Sequence, residues 1–220
     1  MKTRSQSCFA LALGALLMAG NTMASVVAVA PSAFGGTPIL NFNGLPDGIE
    51  VNGLAVAGVL FTYSLGNGQV IIDEGPGITN NIAPPNIVSV GNNTGILVVT
   101  LPALANLFGY GYAILNTVPV LNATTINLFN GVTPVGSLSY NGVPDFFFTG
   151  GFAGIFSTLP FDRAQLTFNS AAAPAFALDN IRIANVPVPE PSAMFLIATG
   201  MGVLLWRRRR THVPRRSLQV

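Results

Sequence analysis

Residues 164–168 read AQLTF, and their apolar and polar side chains alternate without a break. In an extended chain Leu166 and Phe168 fall on one face and Gln165 and Thr167 on the other, the two-residue period of a half-buried strand. IRIA at 181–184 repeats the pattern, with Ile181 and Ile183 directed inward and Arg182 outward. Working outward, short strand-like segments recur as ILNF (39–42), VLFTY (59–63), GILVVT (95–100), YGYAIL (110–115) and TINLFN (125–130). Between residues 26 and 186 no run of ten or more residues carries a helical apolar stripe. The punctuation agrees. Asn43, Asn52, Asn67, Asn130 and Asn141 each precede glycine, and Asp47-Gly48 adds another pair that tolerates the positive φ of tight turns. PALANLF (102–108) is expected to be a loop. Residues 25–186 are therefore expected to form an all-β domain, a β-sandwich of jelly-roll type.

Composition narrows the chemistry. Only 8% of the 220 residues are charged, against roughly 25% in an average soluble domain. Between Ser25 and Val186 the bases are Arg163 and Arg182, and the acids are Asp47, Glu50, Asp73, Glu74, Asp145, Asp162 and Asp179, a net of −5. Two dispersed bases cannot neutralise a run of phosphates, which argues against nucleic acid as a partner. The single cysteine, Cys8, lies near the N-terminus and the single histidine, His212, near the C-terminus. A Ser-His-Asp triad, a cysteine nucleophile and a His- or Cys-ligated zinc site are thus unavailable to the domain. The expectation is a non-enzyme.

Both ends read as targeting segments. Lys2 and Arg4 precede an apolar run from Cys8 to Ala19, and the small residues Thr22 and Ala24 fit the −3 and −1 positions of a signal-peptidase site. Residues 1–24 are read as a signal peptide for Sec export, cut after Ala24, with Ala30 as second choice. The apolar run is nearer 12 residues than the ~20 that a membrane span requires. At the other end, VPEPS (Val188, Pro189, Glu190, Pro191, Ser192) stands before the uncharged stretch 193–206, which is followed by Arg207, Arg208, Arg209 and Arg210. As a helix, 193–206 would measure about 21 Å, short of the ~30 Å hydrocarbon core, with Trp206 and snorkelling arginines to close the gap. The arginine block holds the cytoplasmic side, leaving 211–220 as a cytoplasmic tail and the domain outside. Pro189 and Pro191 keep the chain extended ahead of the span.

Those three ordered elements, with an export signal upstream, resemble the PEP-CTERM sorting signal of Gram-negative bacteria over 187–210. The resemblance implies that an exosortase, an inner-membrane cysteine transpeptidase-like enzyme, recognises Pro189, Glu190 and Pro191 and removes the tail. It also implies an association with exopolysaccharide and biofilm. LNFNGLPDGIEV (40–51), GVLFTYS (58–64), PFDRAQLTF (160–168) and FALDNIRIANV (176–186) are similar to strands of the β-sandwich passenger domains that precede such tails, and by analogy imply carbohydrate binding. The expected life history is an inner-membrane precursor with its domain in the periplasm, then a cell-surface or extracellular-matrix protein. Permanent anchoring as a structural surface protein is the alternative, and a carboxylate glycosidase the remote one.

Site candidates inside the domain are few. Calcium takes six to eight oxygens from Asp, Asn and backbone carbonyls, and Asp47, Glu50 and Asp179 are the residues to consider. The pairs Asp47/Glu50 and Asp73/Glu74 supply the minimum carboxylates for glycoside hydrolysis. DEGPGITN (73–80) lacks a GK[ST] element and reads as a turn. Tyr63, Tyr110, Tyr112, Tyr140 and the run Phe146-Phe147-Phe148 are candidate sugar-stacking rings, although filling a core is their commoner use. In an extended strand, that phenylalanine run would alternate its rings between the two faces.

Overall fold

The computed structural model describes residues 25–90 and 92–186; the expected signal peptide, sorting motif, 193–206 span, arginine block and 211–220 tail lie outside them. Eleven strands and one 3-10 turn at Pro31–Phe34 build the domain. The strands are β1 Val26–Ala28, β2 Ile39–Leu40, β3 Ala55–Val56, β4 Val59–Tyr63, β5 Val70–Asp73, β6 Asn86–Ser89, β7 Leu97–Ile114, β8 Val120–Asn130, β9 Thr133–Asp145, β10 Phe148–Phe168 and β11 Phe176–Ala184. All pairings are antiparallel, and the main path of neighbours runs β5-β6-β11-β7-β10-β8-β9.

Two long strands turn this network into two layers. The first part of β7, from Leu97 to Thr100, pairs with β4 and with the Arg163–Leu166 part of β10. The second part, from Leu107 to Ile114, pairs with the Thr149–Phe156 part of β10 and with β11. The register of β10 shifts between Phe156 and Phe161 and again before Arg163, the bulges at which a strand bends from one layer into the other. One hydrophobic cluster joins the layers. Phe61, Leu97, Val99, Ile126 and Leu166 enter it from one side, and Phe108, Tyr110, Tyr112, Ile155, Phe176 and Leu178 from the other.

PALANLF is not the expected loop but the middle of β7. Pro102, Ala103 and Leu104 are exposed while Leu101, Ala105, Leu107 and Phe108 are buried, so the two-residue alternation is interrupted at the bend. Pro102 is accommodated there because the β10 register skips past it and no ladder bond needs its missing N–H.

Of the predicted turn pairs, Gly44, Gly48, Gly53, Gly68 and Gly131 do adopt positive φ. Asn141-Gly142 does not: it lies within β9, and a Cβ on Gly142 would stand 2.6 Å from Thr149 Cγ2. Close approach of two strands, rather than a turn, asks for glycine at that position. The actual reversal comes four residues later, at Phe146-Phe147 between β9 and β10, with Phe146 at φ 53.

Candidate functional site

The AQLTF segment of β10 organises a patterned surface. From β4 to β9 the antiparallel register is unbroken along the row Thr62, Val98, Gln165, Asn127, Ser137. The next residue on each strand gives the inward row Tyr63, Leu97, Leu166, Ile126, Leu138, of which the first four are buried and Leu138 packs against them. Cross-strand partners point to the same side of a sheet, so the first row faces away from the core. Parallel to it run Thr167, Thr125 and Ser139 on one side and Leu60, Thr100, Arg163 and Phe129 on the other. Five strands at ~4.8 Å spacing make this face about 19 Å wide.

Hydroxyl and amide groups dominate the face, and Arg163 is the one charged side chain in these three rows. Two internal bonds hold groups in place: Thr125 Oγ1 and Ser139 Oγ lie 2.8 Å apart, and Ser137 donates to Asn127 Oδ1 at 2.7 Å. Among the described residues the side chains of Thr62, Gln165 and Thr167 make no hydrogen bond. At one edge the Arg163 guanidinium lies over the Phe129 ring at 4.9 Å and donates to the Gly131 carbonyl at 2.7 Å. Such a face can donate and accept along its width without placing fixed negative charge against a ligand. Neither the amides nor Arg163 stood out in the sequence. Strict alternation predicted that Gln165 and Thr167 point outward, but not that four other strands add to the same row.

The acidic candidates do other work. Glu50 Oε2 accepts from Gly68 N at 2.7 Å and Oε1 from Asn52 N at 3.5 Å, and Asp73 Oδ1 accepts from Gly75 N at 2.8 Å. These carboxylates cap turns. Asp47 lies in the same turn as Gly48, whose N–H donates to Ile72. Asp179 is on β11, in register with Gly111 of β7 and 1% exposed. Among the described residues no three His, Cys, Asp or Glu side chains converge on one point, so Asp47, Glu50 and Asp179, the residues considered for calcium, are not brought together.

Asp179 instead occupies an acceptor-rich pocket beneath the segment 74–85. Its Oδ2 accepts from Ala83 N at 3.3 Å, and the carbonyl of Asn81 lies 2.1 Å from where a Cβ on Gly111 would stand. One step past the Leu178–Ile87 pair, Asp179 comes opposite Asn86 of β6. Asn86 Nδ2 donates to Glu74 O at 3.3 Å. Asp179 Oδ1 and Asn86 Oδ1 are both buried with no hydrogen-bond partner. Burial pushes the Asp179 carboxyl up to about 6, while backbone N–H groups of Asn180 and Ala83 pull it back.

The tyrosines are core residues. Tyr110 and Tyr112 are fully buried and Tyr63 nearly so; Tyr140 is half-buried and donates to Gly154 O at 2.6 Å. Desolvation raises all four phenols. The phenylalanine run does not lie in one strand either. Phe146 and Phe147 form the β9–β10 turn, 90% and 74% exposed, and Phe148 opens β10. Beside Phe148 a groove of about 310 Å³ is lined by Val88, Ala113, Leu115, Phe176 and Asp73.

Residues 187–210 match the family description of the PEP-CTERM protein-sorting motif. The chain carries a PEP-CTERM signal. The motif indicates export and sorting to the cell surface or extracellular space, and it implies processing by an exosortase. No curated protein matches the chain. Among solved structures, a mutant of the family 29 carbohydrate-binding module CBM29-2 is 11% identical with TM-score 0.30, covering 60% of this chain and 99% of that one. The CBM22-1 xylan-binding domain of Paenibacillus barcinonensis Xyn10C is 16% identical with TM-score 0.35, covering 58% and 87%. The catalytic domain of a GH87 alpha-1,3-glucanase is 11% identical with TM-score 0.32, covering 77% and 29%. Likeness at this level carries no argument about the ligand of this PEP-CTERM chain. Among the described residues no helix is long and apolar enough to cross a membrane.

Proposed function

We propose that this PEP-CTERM protein is a non-catalytic polysaccharide-binding protein of the cell surface or extracellular matrix. Its two layers are read as a jelly-roll sandwich, and the ligand lies on the outer face of β4-β7-β10-β8-β9. The observation that carries the reading is the register itself, which lines up Thr62, Gln165, Asn127 and Ser137 from four strands, with Thr125, Thr167 and Ser139 beside them. Sugar hydroxyls both donate and accept, and neutral amides and hydroxyls answer both needs without the desolvation that a carboxylate would impose. The half-exposed ring of Phe129 offers an apolar surface to a pyranose face at the edge of the same patch. Turn-capping roles for Glu50 and Asp73 favour binding over hydrolysis.

Delivery follows from the tail. Signal peptidase acts at Ala24, an inner-membrane precursor displays the domain in the periplasm, and exosortase action at the Pro189-Glu190-Pro191 segment releases it. Affinity electrophoresis of the full chain in mild detergent, through gels containing matrix polysaccharides, tests the binding. Retardation by at least one polymer is expected, with tenfold weaker retardation for the double variant Gln165→Ala/Asn127→Ala. Unretarded migration in every polymer refutes the reading.

A further inference from the structure

Arg163 makes no ion pair among the described residues, and its position on β10, the middle strand of the polar face, gives its charge a use. Its row neighbours are Thr100 and Phe129, and the next outward residue on its own strand is Gln165, none of them charged. The nearest acid in sequence is Asp162, both of whose carboxylate oxygens accept from Gly131 N, at 3.0 and 3.1 Å. The guanidinium is held from two sides, by the Phe129 ring at 4.9 Å and by the Gly131 carbonyl, which takes Nη2 at 2.7 Å. Nε is buried without a partner, and Nη1 donates to nothing among the described residues. A planar cation already fixed by stacking surrenders little side-chain freedom when it meets a carboxylate, and its fork suits that group.

We infer that Arg163 is a specificity determinant for an acidic sugar: the polymer bound on this face consists mainly of neutral sugars and carries isolated carboxylates, one of which docks on the Arg163 guanidinium. The domain's net charge of −5 selects the spacing. A polyuronate charged at every residue is repelled by the domain as a whole, whereas a carboxylate set among neutral sugars meets the local cation within the ~8 Å over which charge acts at physiological salt. The inference rests on the polysaccharide-binding reading above.

The test uses the full chain, as wild type, Arg163→Gln and Arg163→Lys, with gellan and xanthan. Each polymer is used native and after reduction of its carboxylates to alcohols. Wild type is expected to bind a native polymer about tenfold or more tighter than its reduced form, the size of a charge-assisted hydrogen bond. Arg163→Gln should bind the native polymer as weakly as wild type binds the reduced one, with no further loss on reduction. Arg163→Lys should fall between them because it keeps the charge and loses the stack. Equal binding of native and reduced polymers by wild type, or an Arg163→Gln variant that still prefers the native form, overturns the role of Arg163 while leaving polysaccharide binding intact. Failure of wild type to bind any polymer in either form removes both. Thermal unfolding within a few degrees of wild type shows that the variants are folded.

Discussion

Replacing Asp179 by asparagine should remove a pH dependence of stability that this single residue creates. The carboxyl is 1% exposed and titrates at about 6 in the folded protein, against 3.8 for an ordinary aspartate. Between those values the folded state keeps a proton that the unfolded chain has released. Raising the pH through the window therefore favours the unfolded chain, and stability falls. The difference of about 2 pH units corresponds to at most about 3 kcal/mol, fully expressed above pH 6 and absent below pH 4. Geometry supplies the cause. Asp179 Oδ1 is buried with no hydrogen-bond partner, so ionisation strips the carboxyl of water and returns only the N–H groups that reach it from the backbone. Asparagine is neutral throughout. Other titrating groups contribute equally to both proteins, so the stability of Asp179→Asn minus that of wild type should rise by about 2 to 3 kcal/mol between pH 4 and pH 7.5. Urea unfolding of the exported protein, followed by far-UV circular dichroism at half-unit pH steps, measures it. In thermal melts the same change amounts to roughly 4–12 °C. A difference that stays constant across the range would show that Asp179 is not held protonated and would refute the reasoning.

Gly111→Ala should destabilise by about 2–4 kcal/mol, because the added methyl meets the Asn81 carbonyl of the covering segment; a melting temperature within 2 °C of wild type would contradict that packing. Leu166→Ala should lose about 2–5 kcal/mol, since Leu166 is fully buried in the cluster that joins both layers, and urea unfolding reads the loss directly. Mass spectrometry of the extracellular protein should find the chain ending near the Pro189-Glu190-Pro191 segment, and deletion of the exosortase should retain the tail through Arg210. A tail retained in every fraction of the unmodified cells would favour the permanently anchored alternative.

Linear order alone determined the address of this protein. The sorting motif is a contiguous Pro-Glu-Pro, apolar and arginine series at 187–210, so nothing three-dimensional is needed to recognise it. Local periodicity likewise determined the strand character of VLFTY, AQLTF and IRIA, because a strand's two faces are written every second residue. The absence of histidine and cysteine between residues 25 and 186 removed whole classes of chemistry before any fold was known. Tertiary structure decided the rest. PALANLF broke the alternation, yet its neighbours on β10 shift register to keep it in a strand. The three phenylalanines looked like strand residues, but the β9–β10 reversal falls on the first two. Asp179 stood in the sequence only as a candidate oxygen donor, and the fold alone sets it against Gly111 and under the Ala83 N–H. The polar face is the clearest case: Thr62 and Gln165, with Asn127 and Ser137 between them in the chain, are 103 positions apart and meet only through four strand pairings. Register is set by where apolar side chains from distant segments find one shared core, and no stretch of sequence contains that information alone.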